Sequence, residues 1–174
     1  MMKCVSVKIR RRPLIIEGIK VKESKEWLLL RHNPVDYVLD GYCFINSSFI
    51  SKKTDISPDT FKFKVMSLKK DIGFDNILLD VNISDNYSLY SFLQEKKILV
   101  QIELESDEFA FIGFISKLNE KSFILKKVSV EGNLVNETNF QYNKVRNIYV
   151  KTDYLESLEK YIENFGSISV MDLE

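Results

Sequence analysis

The chain has 174 residues, 45% of them hydrophobic and 29% charged, and its formal net charge at pH 7 is zero. That is an ordinary soluble composition with enough apolar residues for one or two cores, and its neutrality counts against a general nucleic-acid binder, which must neutralise phosphates. No apolar run reaches the roughly 20 residues needed to span a bilayer, and the basic start from Met1 to Arg12 lacks the apolar core of a secretion signal, so a cytoplasmic address is expected.

Val5-Ser6-Val7-Lys8-Ile9 alternates apolar and polar residues, the signature of a half-buried strand. After the basic turn Arg10-Arg11-Arg12-Pro13, Leu14 to Val21 reads as a second strand bent at Gly18, and Trp27 to Arg31 as a third. His32-Asn33-Pro34 breaks the chain. Tyr37 to Asn46 resumes as strand with a kink at Asp40-Gly41, and Phe49-Ile50 makes a short last strand. Ser57-Pro58-Asp59 then predicts a helix start, with Phe61, Val65 and Leu68 at helical spacing, and Gly73 to Asp80 a linker. Ser84 or Asp85 caps a second helix whose Leu89, Phe92 and Leu93 share a face.

Further along, Ile98 to Leu104, Phe109 to Leu118 and Ser122 to Val130 predict a three-stranded meander with charged turns at Glu105-Ser106-Asp107-Glu108 and Asn119-Glu120-Lys121. Glu131 to Asn139 reads as polar loop and Val145 to Val150 as the closing strand. Thr152 opens a last helix that Gly166 ends, with Tyr154, Leu155, Leu158, Tyr161, Ile162 and Phe165 expected to pack on the strands before it.

These elements form an internal duplication. Gly18 and Gly113 lie in matching strands, Trp27 matches Phe123, Asp40-Gly41 matches Glu131-Gly132, and Lys53-Thr54-Asp55 matches Lys151-Thr152-Asp153. Five short strands with a bending glycine in the second is how a small closed barrel looks in sequence, because tight curvature needs a residue without a Cβ. The expected class is therefore mostly β with α, as two tandem small SH3/Sm-like antiparallel β-barrels, each accompanied by a short helix. Residues 1–80 hold the first barrel and its helix, and 81–174 the second.

The run from Val100 through Gly113 and Phe123 to Val145-Arg146-Asn147-Ile148 resembles the Sm-like family of SH3-type barrels, and the whole chain resembles tandem-barrel bacterial proteins of unassigned activity. The resemblance implies a helix before five bent strands. It also implies an RNA grip by an Asp and Asn near the third strand and an Arg-Gly pair in the closing strand. Only Arg146 matches that grip; Asn147 stands for the glycine, the first copy has Ser48-Phe49, and apolar Trp27-Leu28-Leu29 and Phe123-Ile124-Leu125 replace the base readers.

Charge is polarised along the chain, with residues 1–70 at +8 and 71–174 at −8. Opposite halves could dock on each other, or the basic half could face an anionic partner. The basic candidates are Lys8, Arg10, Arg11, Arg12, Lys20, Lys22, Lys25 and Arg31, with Arg146 from the resemblance, and Trp27 or Tyr37 could stack a base beside them. The alternative is that these are solvated positions of edge strands. Catalytic signals are thin: His32 is the sole histidine and reads as a solvated turn residue, Cys43 as a strand hydrophobe, Asp107-Glu108 as a charged turn, and Cys4 with Cys43 as reduced thiols. No phosphate-cradling glycine loop, metal motif or cofactor signature is present. The expectation is a non-enzymatic macromolecule-binding protein of adaptor or toxin-immunity type whose partner is another protein. RNA or DNA binding through the basic first barrel is the alternative.

Overall fold

A computed structural model describes residues 2–71, 75–106 and 109–165. The strands are β1 (Cys4–Ile9), β2 (Ile15–Glu23), β3 (Trp27–Asn33), β4 (Tyr42–Asn46), β5 (Ile50–Asp55), β6 (Val100–Leu104), β7 (Ala110–Leu118), β8 (Ser122–Val128), β9 (Leu134–Gln141) and β10 (Val145–Val150). The helices are α1 (Phe61–Lys69), α2 (Asn86–Glu95) and α3 (Asp153–Phe165). The protein is thus mostly β with α. All strands join one antiparallel sheet in the order β5-β1-β2-β3-β4-β10-β6-β7-β8-β9, which does not close, so β5 and β9 are its free edges.

The duplication is written into the ladder. Val5 lies opposite Gly18 and Val100 opposite Gly113, a displacement of 95 residues in both strands. The same displacement carries the irregularity between Lys20 and Lys22 onto that between Ile115 and Lys117. It also carries Ser51, skipped in the β1–β5 ladder, onto Arg146, skipped in β6–β10. The two glycines are required by close approach: a Cβ on Gly18 would sit 2.2 Å from the Arg31 carbonyl oxygen, and one on Gly113 2.1 Å from that of Lys126.

Constant register corrects two of the sequence matches. Leu28, opposite Glu23, is the counterpart of Phe123, opposite Leu118, and Trp27 is one residue out. Since side chains alternate across a strand, Leu28 joins the apolar cluster of Val5, Val7 and Leu30. Trp27 points the other way, into the cluster of Phe44, Val100 and Phe123, and its Nε1 donates to Asn86 Oδ1 at 3.1 Å. Asp55 corresponds to Val150, each opposite the first strand of its half at Val5 and Val100, so Lys151-Thr152-Asp153 lies past the closing strand. There the Thr152 hydroxyl accepts from the Leu155 amide at 3.2 Å in the first turn of α3.

Two large apolar clusters occupy opposite faces of the sheet. In β4, Tyr42 and Phe44 belong to one and Cys43 and Ile45 to the other. Val100, Ile102, Phe123 and Leu125 lead the first, covered by Leu89, Tyr90 and Leu93 of α2. Val5, Val7, Leu28 and Leu30 lead the second, covered by Leu155, Leu158 and Ile162 of α3. The halves meet through β4 and β10, where Tyr42, Cys43, Phe44 and Ile45 pair with Val150, Tyr149, Ile148 and Asn147. That seam is buried throughout. The expected docking by opposite charge is therefore secondary to a continuous backbone ladder with apolar flanks.

Several boundaries differ from the sequence reading. Residues 134–141 form β9 where a loop was expected: this edge strand is exposed for most of its length, so no apolar alternation is imposed on it. β3 continues through His32 and Asn33, β4 starts only at Tyr42 after Gly41 turns the chain at φ +57°, and β5 runs on to Asp55. The α1 cap is Thr60, accepting from the Phe63 amide, rather than Ser57, and Met66 is its buried residue. The expected linker from Gly73 falls partly outside the described residues, as do Asp107, Glu108 and Gly166.

Candidate functional site

The basic residues of the first half do not form one free face. Arg12 Nη1 and Arg146 Nη2 both donate to Glu103 Oε2, at 3.1 and 3.2 Å, and Asn147 Nδ2 donates to the same oxygen at 3.1 Å. The Arg146 side chain is only 2% exposed, because the skipped register position turns it inward beside β6. Arg31, also buried, donates Nη1 to the Lys70 and Lys69 carbonyls at 2.6 and 3.3 Å, anchoring the end of α1. A cation suits that place, since the last carbonyls of a helix lack intrahelical donors.

Lys22 Nζ donates to the Val81 carbonyl at 2.8 Å, tying β2 to the segment before α2. Lys20 Nζ reaches Glu23 Oε2 at 2.9 Å, and Lys53 pairs with the other oxygen of that carboxylate. The two lysine hydrogen bonds hold the Glu23 carboxyl below its ordinary range. Lys8, Arg10 and Arg11 are exposed. Arg11, at φ +57°, stands 3.8 Å from Glu105. Arg10 and Arg11 line a cavity of about 200 Å³ with Ser48, Phe49, Glu105 and Arg146, and Lys25 lines a separate cleft with Asn46, Asn86 and Asn143. The one residue matching the Sm-like grip, Arg146, is thus directed at Glu103, and the eight basic residues expected to cluster in the first half are spread over several sites. Tyr37 is not a free platform, since its ring meets Phe61 edge-on at 5.4 Å.

His32 corrects the expectation of a solvated turn. It lies in β3 with its ring edge-on to Tyr149 at 5.2 Å, and its buried Nδ1 has no hydrogen-bond partner. Burial keeps the imidazole below its ordinary pKa, opposed by Asp40 and Glu103. Cys43 is fully buried, its thiol 3.8 Å from the Phe44 carbonyl oxygen, and burial pushes its pKa well up. No hydrogen bond joins Cys43 to His32 among the described residues, and a thiol that burial keeps protonated is a weak nucleophile. Cys4 is likewise free and buried, pushed up to about 11 by burial.

The sequence reading missed an open, mainly apolar groove beside α3. A groove of about 400 Å³ is lined by Val130 and Glu131 from the β8–β9 turn and by Tyr154, Ser157, Leu158 and Tyr161 from α3. Tyr154, Tyr161 and Phe165 were expected to pack on the strands, yet Leu155, Leu158 and Ile162 alone supply the buried stripe. Tyr154 and Tyr161 remain 46% and 48% exposed. Their spacing of seven residues marks a second stripe, legible in the sequence beside the first. Gly132, at φ +79°, lets the turn close against the Tyr161 ring, where a Cβ would meet Cδ1 at 2.7 Å.

Comparison with protein families, curated proteins and solved structures finds no match to this chain.

Proposed function

We propose that this chain is a non-enzymatic cytoplasmic binding protein built from two tandem SH3/Sm-like units, and that its partner is another protein, as in an adaptor or a toxin-neutralising protein. The observation that carries the reading is where the cations go. Arg12, Arg146, Arg31, Lys20 and Lys22 donate to acceptors within the fold, whereas nucleic-acid affinity draws on cations free to displace counterions from phosphates. The open apolar groove beside α3 is the kind of surface that a protein partner covers.

The alternative, RNA or DNA binding by the basic half, keeps the exposed Lys8, Arg10 and Arg11. Affinity purification of the full chain with and without nuclease separates the two. A specific protein partner that survives nuclease is expected; association that vanishes with nuclease, together with a salt-sensitive gel shift lost in Arg10→Glu/Arg11→Glu, overturns the proposal.

A further inference from the structure

We infer that the groove between the β8–β9 turn and α3 receives the cationic side chain of an arginine or lysine from a partner polypeptide. This rests on the protein-binding reading and adds the face and the chemistry of the contact. Three features select a cation. First, two tyrosines, Tyr154 and Tyr161, line the groove, and aromatic faces attract guanidinium and ammonium groups. Second, Glu131 lines the same groove, and no basic residue is among its described lining. Third, Val130 and Leu158 provide an apolar wall for the methylene stem that precedes the charge in Arg and Lys.

The groove is also held in shape before any partner arrives. Leu155, Leu158 and Ile162 fix α3 against the sheet, and the Gly132 backbone closes on one side of the Tyr161 ring. The Phe165 ring centre lies 5.7 Å from that of Tyr161. A ring held as Tyr161 is loses little freedom on binding. An acidic or purely aliphatic occupant would leave Glu131 facing like charge or an apolar group, so charge complementarity favours the cation.

The test is a nuclear magnetic resonance titration of the full chain at near-physiological salt with an alternating Ala-Arg peptide and its Ala-citrulline counterpart, which has nearly the same shape without the charge. The Ala-Arg peptide is expected to shift the backbone resonances of residues 130–131 and 154–161, with the citrulline peptide about tenfold weaker or more. Tyr161→Leu, which keeps apolar volume but removes the ring face, should weaken the Ala-Arg peptide about tenfold, and Glu131→Gln about two- to fivefold. Equal binding of the two peptides, shifts confined elsewhere, or no shift overturns the inference. If a nuclease-resistant partner is found and Tyr161→Leu still holds it at full affinity, this inference fails while the protein-binding reading stands.

Discussion

Glu103 shows how much one side chain fixes. It stands on β6 of the second half, yet one of its oxygens accepts from Arg12 of the first half and from Arg146 and Asn147 of its own. Glu103→Gln is expected to cost about 2–4 kcal/mol in urea melts, because two guanidiniums lose their shared charged acceptor. A cost under about 0.5 kcal/mol shows that other groups neutralise them. His32 is expected to make the stability of the fold pH-dependent. Its folded pKa lies below the ordinary 6.5, so the unfolded chain binds its proton first and stability falls as pH drops below 6.5. The loss stops once pH passes the folded value. His32→Gln should remove this contribution, so the wild-type-minus-variant difference in thermal stability should narrow from pH 7.5 to pH 5.5. A constant difference rules the role out. Neither residue could be assigned from sequence: Arg12 and Arg146 are basic in the way of any surface arginine, and what buries Arg146 is a skipped ladder position. The glutamate that meets them is 91 residues from Arg12.

At the scale of elements, the strands with at least one buried face were the readable ones. β1, β6 and β8 alternate because water lies largely on one side, and the matching glycines of β2 and β7 follow from the close approach of the next strand's carbonyl. Gly18→Ala and Gly113→Ala should each cost more than about 2 kcal/mol by chemical denaturation, since the added methyl meets rigid backbone at 2.2 and 2.1 Å. A loss much below that at either site would show that the strand can bend away without the glycine. β9 was unreadable for the opposite reason, being solvent-exposed and polar, and β4 and β10 are buried on both faces and so do not alternate. The second aromatic stripe of α3 was visible in the spacing, but the sequence does not say which of two stripes the sheet takes. Three aliphatic positions, Leu155, Leu158 and Ile162, filled that space and left the tyrosines outside.

At the scale of the whole molecule the ladder repeats its register after 95 residues, and that repeat shows what stands at the two free edges. Moving the β4–β10 pairing by 95 residues sets Glu137, Thr138, Asn139 and Phe140 of β9 in the places of Tyr42, Cys43, Phe44 and Ile45. On the other edge it sets Lys52, Lys53, Thr54 and Asp55 of β5 in the places of Asn147, Ile148, Tyr149 and Val150. A second copy could in principle add there by repeating the internal contact. The side chains oppose it. Apolar pairs at the seam are replaced by lysines, Thr, Asn and a carboxylate pair, Glu137 against Asp55, and lysine on an edge strand is a common block to pairing. The chain should therefore stay monomeric in analytical ultracentrifugation. Asn139→Phe combined with Lys53→Ile restores the apolar pair found at Phe44 and Ile148, and should produce concentration-dependent association end to end. The single variants, each with half of the pair, should associate far less. If the wild type already sediments as a ring or ladder of copies, its polar edges do not act as a barrier, and the seam inside the chain is one of a longer series.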